Sequence, residues 1–496
     1  MQKTQEFDFR QLVFALAPLL AVGIVLYADL EPGKPQVTNT LAVAVWMALW
    51  WVSERVPLGI TSLLPIVLFP LLGIMNGKAV SSVYYNHVIF LFIGGFLVAL
   101  AIQKWNLHKR IALGILNLVG GSPARIMFGF MFATGFLSMW ISNTATTMLM
   151  VPMALAVIMQ LEEINGAEKV RFYEIGLLLS IAYSASIGGI ATLVGTPPNL
   201  SFSRIYNIYF PDMPEVSFAD WFIFAAPISI ILFAGLWFYA HHRFIRKQPA
   251  LKHLSHSEIS DNYRRLGPPT YEEKVLLVCF VALVLLWFFR ADIAIGNFHI
   301  PGWSGLFDNP RFFNDGTVAI LVAIVLFIVP SEQREGEFLL DWKTAERIPW
   351  EIILLFGGGF ALASGFKESG LSGWFGNQLG WLKGVHPFIL ILAITALITF
   401  LTELTSNTAT VETFLPILAG LATSIHVHPL MLMLPATVAA SLAFMLPVAT
   451  PPNAIIFGTN RITITDMARA GFALNIIGII VVSVMTYFWG RVVFGM

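Results

Sequence analysis

The chain has 496 residues, 57% hydrophobic and only 12% charged, and its 29 Lys and Arg balance 29 Asp and Glu. Soluble domains carry about 25% charged residues, so this composition excludes an ordinary soluble protein and requires a lipid environment. No basic stripe or nucleic-acid motif appears, and the single Cys279 excludes an intrachain disulfide.

Met1–Arg10 is polar and contains acidic residues, and no small-residue cleavage pattern follows the first apolar stretch, so no cleavable signal is expected. Apolar stretches then recur at Leu12–Leu30, Thr40–Val52, Val88–Ile102, Phe222–Tyr239, Val275–Phe289, Thr317–Val329, Ile352–Ala363 and Ala473–Trp489. A membrane span takes roughly 17–25 residues, so the shorter stretches cross only with their flanks. Trp50, Trp51 and Trp350 stand near span ends, as interfacial anchors do. The basic, His-rich segment 243–274 reads as a cytoplasmic linker.

Two short sequences are duplicated. Ser-Asn-Thr-Ala-Thr occurs at Ser142–Thr146 and again 264 residues later at Ser406–Thr410. Gly94, Gly95, Phe96 and Pro152 match Gly358, Gly359, Phe360 and Pro416 at the same offset. Thr-Pro-Pro-Asn follows each copy, at Thr196–Asn199 and Thr450–Asn453. Paired polar, helix-breaking interruptions in two hydrophobic halves are the sequence pointer to a transport site. The repeats are expected at 37–242 and 275–496, after an N-terminal segment 1–36 that contains the first span.

With the N-terminus in the cytoplasm, alternate loops place 21 of the 29 Lys and Arg inside. This works only if segments 125–161 and 387–424 each enter and leave on one side. Both are too long for one span and carry Ser-Asn-Thr near the middle, so both are expected to be re-entrant hairpins. The first opens to the cytoplasm and the second to the outside. The expected fold is an all-α polytopic membrane protein with about eleven spans, two hairpins, two inverted repeats and an external C-terminus.

Non-helical backbone at membrane depth survives only when buried in protein or lining a wet cavity. Ser, Thr and Asn favour such turns because their side chains bond nearby backbone. The helix expected after each tip, from Ala145 and from Ala409, exposes free N–H groups and a positive dipole end suited to a carboxylate. Consecutive prolines break a helix and free carbonyls that bind a hard cation. Neither motif pair contains Lys, Arg or His, so an anion there needs co-bound cations, and cation-coupled anion transport follows. Glu403 and Glu412 flank the second tip, where the first half has Met139 and Met148. Glu403 is expected either as a structural hydrogen-bonding residue or as a proton or gating group. Glu412 is expected to face the cavity mouth or to pair with a neighbour. Gly94, Gly95 and Gly357–Gly359 are expected to permit close helix packing.

The two Ser-Asn-Thr-Ala-Thr copies, the two Thr-Pro-Pro-Asn copies (the first preceded by Gly195) and the stretch Trp105–Ile111 resemble the divalent anion:sodium symporter family over nearly the whole chain. The resemblance implies a homodimer in the lipid bilayer with scaffold and transport domains and elevator motion. It implies one Na+ site from Ser138, Ser142, Asn143 and Gly195, and another from Thr402, Thr405, Asn407 and Ala449. Substrate carboxylates are implied at Asn143, Thr144, Ser406, Asn407 and Thr408, with Thr196 and Thr450 beside them. The resemblance also implies, from the unvaried Ser-Asn-Thr at both tips, succinate, malate or fumarate rather than citrate. The alternatives are a sodium-independent dicarboxylate exchanger and a citrate or sulfate carrier. An enzyme is not expected, because all ten His lie in or near predicted loops and no HExxH occurs. The absence of a targeting segment and of disulfides fits a bacterial inner membrane.

Overall fold

The computed structural model describes residues 9–119, 121–246, 251, 261, 263–295 and 298–496. Most of the expected linker, and the first part of the N-terminal segment, therefore lie outside the described residues. The described chain is mostly helical. The short strands Ile293–Ile295 and Phe298–Ile300 pair antiparallel, with Ile293 opposite Ile300.

Eight described helices are long and apolar enough to cross a membrane: those at Arg10–Tyr27, Gly77–Lys104, Asn143–Asn165, Ala167–Ile190, Phe218–Arg246, Trp350–Ser369, Asn407–Ile425 and Ile464–Phe494. Four apolar helices, at Leu58–Leu71, Asp315–Ile328, Pro387–Leu401 and Leu430–Ala439, are shorter. Length alone therefore does not translate into the expected eleven spans. Thr317–Val329, read as part of a span, is a 14-residue helix, Asp315–Ile328, capped by Asn314.

Each segment expected as a hairpin consists of two helices around a short non-helical tip. In the first, Pro123–Ser138 is followed by Asn143–Asn165; in the second, Pro387–Leu401 is followed by Asn407–Ile425. Each tip helix starts two residues earlier than expected, because Ser142 and Ser406 rather than the later residues occupy the N-cap. Ser142 accepts from the Ala145 N–H at 3.3 Å, as an N-cap serine does. Ser406 makes no such capping bond.

The prolines of each Thr-Pro-Pro-Asn do not sit inside a helix. They open the new helices Pro197–Tyr209 and Pro451–Phe457, where the missing N–H groups are not needed. Upstream of the first break lies Ala167–Ile190, of which every residue from Tyr173 onward is buried. Its counterpart, Leu430–Ala439, is buried along its whole length. A helix that is apolar all round belongs inside, and these two form the core behind the breaks.

Glycines set one close approach. Consecutive Gly357, Gly358 and Gly359 meet Tyr84, Ser62 and Glu412, and a Cβ on Gly359 would stand 0.8 Å from Glu412 Oε2. The glycine run is thus packing space, as expected, and Gly94 is likewise pressed against Ala319.

Candidate functional site

The four breaks meet at one place. A cavity of about 540 Å³ is lined by Ser142, Asn143 and Thr144 from the first tip and by Ser406, Asn407 and Thr408 from the second. Gly195 and Thr196 reach it from the first Pro-Pro break, and Ala449 and Thr450 from the second. All seven residues expected to meet substrate therefore share one wall. Phe92, Phe96, Ile352 and Leu355 supply apolar surface, and Glu54 is the one ionisable side chain among the described lining residues.

The expected cation ligands fall into three groups. Ser142, Asn143, Gly195, Asn407 and Ala449 line the cavity. Ser138 and Thr402 are buried one layer behind it and support the two Asn side chains. The Ser138 hydroxyl contacts Asn143 Oδ1 and lies 2.7 Å from the Ala185 carbonyl. The Thr402 hydroxyl repeats this at 2.7 Å from Asn407 Oδ1 and 2.8 Å from the Ala440 carbonyl. Thr405 is not among the lining residues: its hydroxyl is 3.0 Å from the Leu401 carbonyl and 2.6 Å from the Thr410 hydroxyl.

A hydroxyl has one proton, so in each half it donates to one of two oxygens and meets the other oxygen to oxygen. A cation relieves that contact, as does turning the amide so that its Nδ2 faces the hydroxyl. Gly189 leaves space beside Asn143, since a Cβ there would lie 2.7 Å from Asn143 Oδ1. Carbonyl, amide and hydroxyl oxygens thus converge behind each tip. Among the described residues no cluster of three His, Cys, Asp or Glu could hold a metal, so a cation at the tips would rest on neutral oxygens, which suit a hard ion.

The first turn of each tip helix leaves N–H groups without intrahelical acceptors. Those of Asn143, Thr144, Asn407 and Thr408 belong to residues that line the cavity. Two helix N-termini aimed at one space form a site for an anion with two charged ends.

Some carbonyls upstream of each break are taken by a side chain rather than left for a cation. Asn199 Nδ2 donates to the Thr192 carbonyl at 2.7 Å and lies 3.3 Å from those of Gly189 and Ile190. Asn453 Nδ2 donates to Ala443 at 3.1 Å and to Leu446 at 3.0 Å. The last residue of Thr-Pro-Pro-Asn is thus a clasp for the end of the preceding helix. Its duplication was the available signal, but its direction depends on the fold.

The two acids differ. Glu403 Oε1 accepts from the Phe444 N–H (2.7 Å), the Met445 N–H (2.9 Å) and Asn475 Nδ2 (2.8 Å). Its Oε2 accepts from the N–H groups of Met445 (3.0 Å) and Leu446 (3.1 Å). These bonds make Glu403 the hydrogen-bonding brace of the unwound segment before the second break. The first half has Met139 there, and its carbonyl accepts from the Thr192 hydroxyl at 2.5 Å instead. Glu412 is fully buried rather than at the cavity mouth, and it accepts from the Ser201 hydroxyl at 2.6 Å.

Duplicated polar tips and broken helices around one cavity within apolar helices define a polytopic membrane transporter of the secondary-carrier type. The chain matches the family described as the sodium:sulfate symporter transmembrane region over residues 9–496, and it belongs to that family. It is 42% identical to the sodium-dependent dicarboxylate transporter SdcS of Staphylococcus saprophyticus over 495 residues, covering 98% of this chain and 93% of that one. It is 42% identical to SdcS of Staphylococcus aureus over 502 residues, covering 100% and 94%. The fold resembles the YdaH transporter of Alcanivorax borkumensis, with a TM-score of 0.57, 13% identity and coverage of 98% and 99%. It also resembles MtrF of Neisseria gonorrhoeae, with a TM-score of 0.56, 13% identity and coverage of 95% and 97%. At that identity the two structures speak to the fold alone.

Proposed function

We propose that this protein is a sodium-coupled symporter of C4-dicarboxylates such as succinate, malate and fumarate. The observation that carries the reading is the single cavity where both Ser-Asn-Thr tips converge without a Lys, Arg or His in its described lining. A dianion held there by helix ends and amides needs countercharge, and co-bound sodium supplies it. The two named relatives at 42% identity are sodium-dependent dicarboxylate transporters, which supports both the ion and the substrate class.

Ser138, Ser142, Asn143 and Gly195 hold one sodium; Thr402, Asn407 and Ala449 hold the second, with Thr405 acting through Thr410 behind the tip. Sodium binds first and orders the tips. The dicarboxylate then bridges the N-termini at Asn143 and Asn407, with Thr144, Thr196, Ser406, Thr408 and Thr450 around it. The repeats 37–242 and 275–496 contribute the hairpins to a transport domain that moves as an elevator against a scaffold, in a homodimer. The protein resides in a bacterial plasma membrane with its N-terminus in the cytoplasm and its C-terminus outside.

Labelled succinate uptake into proteoliposomes tests this, with an inward sodium gradient or with potassium replacing sodium. Sodium-dependent uptake that Asn143→Ala or Asn407→Ala abolishes is the expected result. Wild-type uptake rates in either variant refute the site. Uptake without sodium, but only against internal dicarboxylate, makes the protein an exchanger. No succinate uptake, with uptake of citrate or sulfate, refutes the substrate class.

A further inference from the structure

The central cavity does not end at the tips. A smaller cavity of about 190 Å³ shares Phe92, Phe96, Ser142 and Val194 with it and extends to Arg347. A third cavity, of about 610 Å³, shares Leu100, Gln103 and Arg347 with the second and holds Lys104, Arg334 and Lys343. The three form a series from the tips to the face that the Lys and Arg distribution assigns to the cytoplasm. Arg347 stands at the joint between the second and third, the first cationic side chain met after leaving the tips.

The charges of the outer cavity do not cancel. Four cations face Glu337 and Asp341. Lys104 binds both acids, at 3.2 Å and 2.5 Å, and also donates to the Phe338 carbonyl at 3.0 Å. Arg334 stacks over Trp105 and reaches Glu337 at 3.4 Å. Both acids are thereby occupied. Arg347 and Lys343 form no ion pair among the described residues, and they leave two positive charges over, the number that a dicarboxylate carries with opposite sign. A concave site lined by one excess sign concentrates counter-ions and speeds their capture.

We infer that Arg347 is a second, transient binding point for the dianion, used between the central cavity and the cytoplasm. The planar guanidinium pairs with a carboxylate through two N–H groups, and it lies outside the neutral tip site, so it holds the substrate without trapping it. This inference rests on the dicarboxylate reading above.

The test uses sodium-driven succinate transport by full-length protein in right-side-out and inside-out vesicles, comparing wild type, Arg347→Gln and Arg347→Lys. Arg347→Gln is expected to raise KM for succinate at the cytoplasmic face by about three- to tenfold, within the range of electrostatic capture effects, and to flatten its salt dependence. KM at the external face should stay at the wild-type value, and Arg347→Lys should recover part of the loss. Wild-type KM at both faces in Arg347→Gln overturns the inference, and so does an equal rise at both faces, which a merely structural role would produce. A wild type that carries no dicarboxylate refutes the functional reading, and this inference with it.

Discussion

Glu403 offers the sharpest test of how the second half-site is built. Three backbone N–H groups and the Asn475 amide all point at one buried carboxyl, with every contact between 2.7 and 3.1 Å. Glu403→Gln keeps one accepting oxygen and turns an NH2 group toward the N–H groups of Met445 and Leu446. Two charge-assisted hydrogen bonds are lost, at about 1.5–3 kcal/mol each. Removing a buried charge offsets part of this, because desolvating it costs several kcal/mol. A net loss of roughly 2–3 kcal/mol remains, which lowers the population of the ordered segment by about 30- to 150-fold. That segment runs directly into Ala449 and Thr450, which line the cavity. The variant should fold, melt at lower temperature than wild type, and need about tenfold or more sodium for half-maximal succinate uptake. The assay is a sodium titration of uptake beside a thermal melt in detergent. A variant with wild-type melting and wild-type sodium dependence refutes the brace, since no other acceptor among the described residues serves those N–H groups.

Two further predictions follow from packing and charge. Gly359→Ala places its Cβ 0.8 Å from Glu412 Oε2, so it should destabilise by about 2 kcal/mol or more, as overpacked cores do. The double variant Gly359→Ala/Glu412→Ala should melt higher than Gly359→Ala alone, and a melt at or below that of the single variant contradicts the contact. In the outer cavity, burial opposes the Asp341 carboxylate, but the Lys104 ammonium and the Thr344 N–H outweigh it and hold the group below its usual range. The Lys104 bond does the same for Glu337. A carboxylate whose folded value is lowered stabilises above its ordinary pKa and loses that contribution as pH falls through the folded value. Asp341→Asn should therefore melt below wild type at pH 7, with the gap closing below about pH 4; a gap that is constant with pH removes the clamp from the account.

The helix breaks were legible because local chemistry and repetition agree. Ser-Asn-Thr starts a helix at either tip, and Pro-Pro opens one at either break. The glycine runs were legible as packing space, because Cβ-free positions in a hydrophobic helix admit neighbours. Glu412 was not: its placement against Gly359 and Ser201 joins three segments far apart in sequence. The roles of Asn199 and Asn453 were hidden for the same reason. A side chain that reads locally as part of a turn instead reaches back to the helix before it.

The sequence by itself determined the lipid environment, the two halves and the four places where the helices break, because composition, duplication and proline stereochemistry are local properties. Only the tertiary structure decided that the four breaks surround one cavity, that Ser138 and Thr402 support the tips from behind, and that Thr405 meets Thr410. It alone brought Arg347 to the path leading out. Those facts depend on distances between segments hundreds of residues apart, which helix packing sets and no local pattern encodes.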